Sequence, residues 1–170
     1  SNVTDTFTVR ASDGSLSNAQ TLTINLTATN DTPVLSAPSV GSYTDTAAND
    51  TFSNTTGTLS ATDRDSGTTL TYGIDTGTTG STVVGSITYD VSKAGTYGTL
   101  YVKSSDGSYV YVPNANAINA LTSNVTDTFT VRASDGSLSN TQTFTVNITG
   151  VNDTPIASNK TITINEDTPT

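Results

Sequence analysis

"VTDTFTVRASDGSLSNTQTFTVNITGVNDTP" occupies residues 125–155, and its pattern decides the fold. Apolar and polar residues alternate on both sides of "SDG". Phe129, Val131 and Ala133 fall on one face, and Thr128, Thr130 and Arg132 on the other. After the turn, Phe144, Val146 and Ile148 alternate with Thr145, Asn147 and Thr149. A period of two is the mark of a strand with one buried face. The segment predicts two strands joined by a Gly-containing turn, then a linker at "NDTP".

Working outward, the same stretch has a double. Residues 1–18, "SNVTDTFTVRASDGSLSN", return unchanged at 123–140. The likeness then continues with conservative changes: Leu22 to Phe144, Ile24 to Val146, Leu26 to Ile148. A period near 120 residues is too long for a solenoid unit and about right for one domain. The expected organisation is three pieces. Residues 1–33 supply the last two strands, F and G, of a preceding repeat. Residues 34–154 form one complete repeat. Residues 155–170 hold a linker and the first strand of a following domain.

Composition agrees with an all-β chain. Thr alone is about a fifth of the residues, with Ser, Asn, Asp and Gly abundant. Thr favours strands, and Gly, Asn and Asp favour turns. The net charge of −9, with only 6 Lys plus Arg, argues against a nucleic-acid partner. There is no Cys, so no disulfide stiffens the chain. No apolar run reads as long enough to span a membrane, and no stretch of these residues reads as a signal peptide. The chain reads as a window from a longer one, with room for an export signal upstream.

Further strands are expected at "TLTYGI", with Leu70, Tyr72 and Ile74, and at "YGTLYV" and "SYVYVP" around an Asp106-Gly107 hairpin tip. A short helical turn fits 114–123, capped by Asn114 or Asn116, with Ile118 and Leu121 inward. About seven or eight strands bounded by turn residues predict an immunoglobulin-like antiparallel Greek-key sandwich.

That topology gathers carboxylates. Strands B and F both climb to the end where the chain enters the domain. The B–C turn "ATDRDSG" (61–67), the F–G turn "ASDGSLSN" (133–140) and the linker "TNDTP" (29–33) therefore meet there. Asp31, Asp63, Asp65 and Asp135 converge, and crowded carboxylates repel. A hard cation removes that repulsion, and Ca²⁺ takes about 6–8 oxygen ligands at ~2.3–2.6 Å. Asn30, Asn152, Asp153 and Asp13 are further oxygen donors of the same motifs. A lone Asp in "SDG" is more often a turn residue bonding its own backbone. For that reason Asp75, Asp90 and Asp106 are not assigned to a metal. The conjunction of three motifs at one pole is what points to calcium.

"ATDRDSGTTLTYGI" and "FTVRASDGSLSNTQTFTVNITGVNDTP" resemble cadherin repeats, and more closely the bacterial VCBS repeat of large secreted RTX-type adhesins. The resemblance covers about 55–155 and is poor over 34–54. Residues 156–170 resemble the first strand of another cadherin-like domain, with Glu166 in the place of that family's early calcium-binding Glu. The complete repeat lacks a Glu in its first strand and a "DRE"-like motif, so one or two ions per linker are expected.

The resemblance implies an extender module at a bacterial surface. Tandem copies would project a terminal binding domain, stiffened by calcium outside the cell. The expected partners are neighbouring repeats of the same chain or identical chains, with no membrane insertion. A filament subunit assembled by strand complementation is a second reading. A ligand- or carbohydrate-binding module is a third, carried by Tyr72, Tyr89, Tyr97, Tyr101, Tyr109 and Tyr111, though these suit core or edge packing better. An enzyme is not expected. Without His or Cys the usual nucleophile–base pairs are missing, and a two-carboxylate glycosidase would want Trp platforms that are absent.

Overall fold

A computed structural model of the chain describes residues 2–39, 41–155, 157–163 and 166. It is all-β, and its elements fall into a hairpin followed by a sandwich. The hairpin is β1 (Val3–Ser12) and β2 (Ser17–Leu26). The sandwich begins with two short strands, β3 (Val34–Leu35) and β4 (Gly41–Thr44). Then come β5 (Thr55–Thr58), β6 (Ala61–Thr62), β7 (Thr71–Ile74), β8 (Thr78–Val84) and β9 (Ile87–Ala94). The chain continues through β10 (Gly98–Val102), β11 (Ser108–Pro113), helix α1 (Ala115–Ile118), β12 (Val125–Ser134) and β13 (Ser139–Thr149).

Two sheets face each other. One runs β5-β11-β10-β9-β8 and the other β4-β13-β12-β7, with a small β3-β6 pair alongside. The expected sandwich is therefore present, with more strands than anticipated. The β8–β9 hairpin widens the first sheet, because "TTGSTVVGSITYD" turns back at Gly85 with φ +64°. One pairing is parallel: β4 runs alongside β13, Gly41 opposite Val146 and Tyr43 opposite Ile148. All other ladders are antiparallel.

The core follows the alternation. Phe129, Val131, Ala133, Phe144, Val146 and Ile148 are all buried. They meet Leu100, Val102, Tyr109 and Tyr111 of the opposite sheet. The Tyr109 and Phe144 rings pack edge-on at 5.1 Å, and Tyr111 packs on Phe129 at 6.0 Å. Such pairs are worth about 0.5–1.5 kcal/mol beyond the area they bury. Tyr109 lies flat over Gly57, directly across the ladder, and a Cβ there would come within 2.3 Å of its hydroxyl. Gly57 is what lets β5 and β11 approach beneath that ring. The predicted helical turn is α1: Asn114 caps it by accepting from the Ala117 N–H, and Ile118 points into the core.

Among the described residues, no helix is long and apolar enough to cross a membrane. The strand expected within 155–170 falls partly outside the described residues. Those described there, 155, 157–163 and 166, carry no strand.

Candidate metal centre

The B–C turn lies between β6 and β7. Asp63 opens it, and its Oδ1 accepts the Asp65 N–H at 2.8 Å, a side-chain-closed turn. That bond aims the Asp65 carboxylate outward toward the linker. Asp65 Oδ2 accepts the backbone N–H of Asp31 at 2.6 Å. The F–G turn is built the same way. Asp135 Oδ1 accepts the N–H groups of Ser137 at 2.6 Å and Leu138 at 2.7 Å. Its Oδ2 accepts the Asn30 side-chain amide at 2.7 Å. Those donors hold the Asp135 carboxyl below its ordinary value, Leu138 and Ser137 first and Asn30 after them.

Asn30 is thus bonded to Asp135 and Asp31 to Asp65, and Asp63 closes the turn that carries Asp65. An open cleft of about 520 Å³ runs beside them, lined by Val3, Asn30, Asp65 and Gly67 among others. The linker is bound to both turns.

The other predicted residues lie elsewhere. Asp13 sits at the tip of β1–β2 and accepts the N–H groups of Ser15 at 2.9 Å and Leu16 at 2.8 Å. These bonds lower its pKa, as at Asp135. Ten residues of strand, roughly 33 Å, separate that tip from the linker. Asn152 and Asp153 lie beyond β13 at the opposite pole of the sandwich. Glu166 is exposed, and both its neighbours lie outside the described residues.

One residue at that second pole escaped the sequence reading. Asp45 follows β4 and is 1% exposed. Its N–H donates to Thr149 O at 2.9 Å, and its Oδ2 accepts the Val151 N–H at 3.3 Å. "YTDTAAND" gives no hint of this. The parallel pairing of β4 with β13 is what carries Asp45 to the start of the second linker.

Three buried carboxylate oxygens find no hydrogen-bond donor: Asp63 Oδ2 at the first pole, and Asp45 Oδ1 and Asp153 Oδ1 at the second. An unpaired buried charge is costly, and carboxylates normally escape it through a partner or a metal. All three are hard oxygen donors, the type a divalent cation such as Ca²⁺ takes. Among the described residues, no three acidic side chains lie close enough together to hold a metal by themselves.

A family model described as a bacterial cadherin-like domain matches residues 30–150. No curated protein matches the chain. Solved structures similar to it include two of an endo-fucoidan hydrolase from glycoside hydrolase family 107. One is 18% identical with a TM-score of 0.40, covering 87% of this chain and 19% of that one. The other is 19% identical with a TM-score of 0.35, covering 88% and 19%. The chain spans about a fifth of the length of those structures.

Proposed function

The chain belongs to the bacterial cadherin-like domain family, and from that premise we propose that it is a non-enzymatic extender module of a bacterial surface or secreted protein, its linkers stiffened by Ca²⁺. The observation that carries this reading is the set of three buried, partnerless carboxylate oxygens at the two ends of the sandwich. Nothing in the core requires them, and all three belong to the turns or linkers where one repeat would meet the next.

The internal repeat accounts for the lack of a complete ligand set among the described residues. Asp31 and Asp153 are the same linker position in successive copies. The first linker has Asp63, Asp65 and Asp135 on its C-terminal side. The second has Asp45 on its N-terminal side. A linker between two whole repeats would have both halves. Asp31, Asp63, Asp65 and Asp135 with the Asn30 side-chain carbonyl would hold an ion at the first pole, and Asp45 with Asp153 at the second. A bound cation supplies neutralisation there, letting carboxylates from two repeats and a linker share one site. The protein's own part is orientation: Asp63 fixes the B–C turn, and the Asp31 N–H and Asn30 amide already tie the linker to Asp65 and Asp135. Calcium is abundant outside cells and scarce within, so such a chain would be exported pliant and would stiffen on arrival.

Thermal melting in EDTA and in millimolar Ca²⁺ tests this. Extracellular modules bind at roughly 10⁻⁴–10⁻³ M, and saturation at 100-fold over Kd adds about 2.7 kcal/mol. Superimposed curves, with Asp63→Asn indistinguishable from the parent in both, would sink the proposal.

A further inference from the structure

The second pole is gripped by a segment that carries neither Asp45 nor Asp153. Helix α1 is anchored in the core by Ile118, which is fully buried. From that fixed point its C-cap residue, Asn119, holds the loop that follows β4. Asn119 Oδ1 accepts the Asp50 N–H at 2.9 Å, and Asn119 Nδ2 donates to the Asp50 carbonyl at 3.0 Å. Asp50 passes the constraint on. Its Oδ2 accepts the Thr46 N–H at 2.6 Å, and its Oδ1 accepts the Thr46 hydroxyl at 3.1 Å. Thr46 directly follows Asp45. Both Asp50 oxygens are therefore occupied, while Asp45 Oδ1 is buried without a donor.

The same segment presses on the other side of the pole, where Gly150 follows β13. A Cβ on Gly150 would lie 2.5 Å from Leu121 Cβ and 2.5 Å from the backbone carbonyl oxygen of Ser123. Glycine is what lets the second linker start this close to the exit of α1. The next N–H along, that of Val151, is the one Asp45 Oδ2 accepts at 3.3 Å. Asp45 is thus braced from two directions: through Asn119, Asp50 and Thr46, and through Gly150 and Val151.

Resting on the reading of this pole as a cation site, we infer that the α1 segment is its positioning element, acting through Asn119 and Gly150. It fixes the Asp45 carboxylate with one oxygen turned to the protein and the other left for the ion. Neither Asn119 nor Gly150 supplies a ligand. Their part is to remove motion in advance, because a carboxylate already held in place gives up little further freedom when an ion arrives. Partners standing behind a metal's own ligands commonly account for about 10–100-fold in its affinity.

The test is a Ca²⁺ titration of the 170-residue chain, read by NMR at two backbone amides. Val151, bonded to Asp45, reports the second pole, and Asp65, bonded to Asp63, reports the first. In the parent both signals should move with Ca²⁺. In Asn119→Ala the Val151 midpoint should rise about 10-fold. The Asp65 midpoint should stay within about twofold, because the two poles share no residue. Gly150→Ala should act in the same way by pushing the linker off α1, and it carries the test where loss of the Asn119 pair prevents folding. A merely structural role would lower the melting temperature of both variants and move neither midpoint. That result, with Val151 still titrating in the parent, overturns the inference and leaves the calcium reading standing. Equal shifts at Val151 and Asp65 also overturn it, since they mean a general loosening. A parent Val151 signal that ignores Ca²⁺ overturns the inference together with the second-pole half of the calcium reading, and Asp65 then shows separately whether the first pole binds.

Discussion

The Tyr111 hydroxyl donates to Asp127 Oδ2 at 2.9 Å between the two sheets. Asp127 occupies an inward position of β12, in step with Phe129 and Val131, where alternation alone would put an apolar residue. Its carboxylate also closes the 94–98 turn through the Thr96 and Tyr97 N–H groups. Gly95 leaves the room: a Cβ there would lie within 2.4 Å of Asp127 Oδ2. Burial first, and then the carboxylate beside it, hold the Tyr111 phenol far above its ordinary 10.0, so it remains a donor in alkaline buffer. Tyr111→Phe should cost about 1–3 kcal/mol. Asp127→Ala strands three donors and should cost at least about 3 kcal/mol in urea unfolding. Asp5→Ala should fall within about 0.5 kcal/mol of the parent. Equal effects at Asp5 and Asp127 would refute the cradle.

The sandwich was legible because "FTVRAS" and "TFTVNIT" need only period two to declare a buried face, and both are long. That the linker reaches both turns was legible because strand direction fixes which turns share a pole: Asp31 bonds Asp65 and Asn30 bonds Asp135. Asp127 and Asp45 were not. Each depends on a contact distant in sequence: Asp127 on a turn at 94–98, Asp45 on a parallel pairing with β13. The β8–β9 hairpin was missed for a different reason. β8 is almost wholly exposed, so it carries too little apolar alternation to announce a strand.

Gly98 tests how tightly β10 and β11 pack against each other within one sheet. A Cβ there would stand 2.4 Å from Tyr111 Cζ and 2.6 Å from the Val112 carbonyl, so something must move. Gly98→Ala should destabilise by about 1–3 kcal/mol, the usual range for overpacking a filled core. Gly80 in β8 is the contrast, with nothing within 4 Å and no left-handed φ. Gly80→Ala should be neutral or gain up to about 1 kcal/mol by restricting the unfolded chain. Urea midpoints moving together would contradict this account.

Asp106 sets one acid-side dependence. Its carboxyl is held down to about 2 from the ordinary 3.8, chiefly by the Lys103 ammonium and next by the Ser108 N–H. A depressed folded value means the carboxylate is the form favoured by folding. Its stabilisation is therefore complete above about pH 4 and is lost as pH falls through about 2. Both side chains are exposed, so the energy is small and the titration itself is the better readout. The Asp106 carboxyl carbon should titrate near 2 by NMR, and Lys103→Met should move it part of the way back to 3.8. A midpoint that Lys103→Met leaves unmoved would show that the turn backbone alone holds the carboxylate.

Asp45 separates a structural carboxylate from one kept for a cation. It is buried, one oxygen accepts the Val151 N–H, and the other has no donor. Without a cation that second oxygen is a liability, since a buried charge lacking a partner destabilises the fold. Asp45→Asn removes the charge while its side-chain oxygen still accepts from Val151. In EDTA the variant should therefore match or exceed the parent, by up to about 2 kcal/mol. In saturating Ca²⁺ the order should reverse, because the parent gains about 2.7 kcal/mol at 100-fold over Kd and the variant less than half of that. The crossing of the two stability curves is the signature. An Asp45→Asn chain already several kcal/mol weaker in EDTA would mean that the carboxylate has a protein partner. A chain stabilised by calcium as fully as the parent would take Asp45 out of the metal site and leave the first pole to account for binding alone.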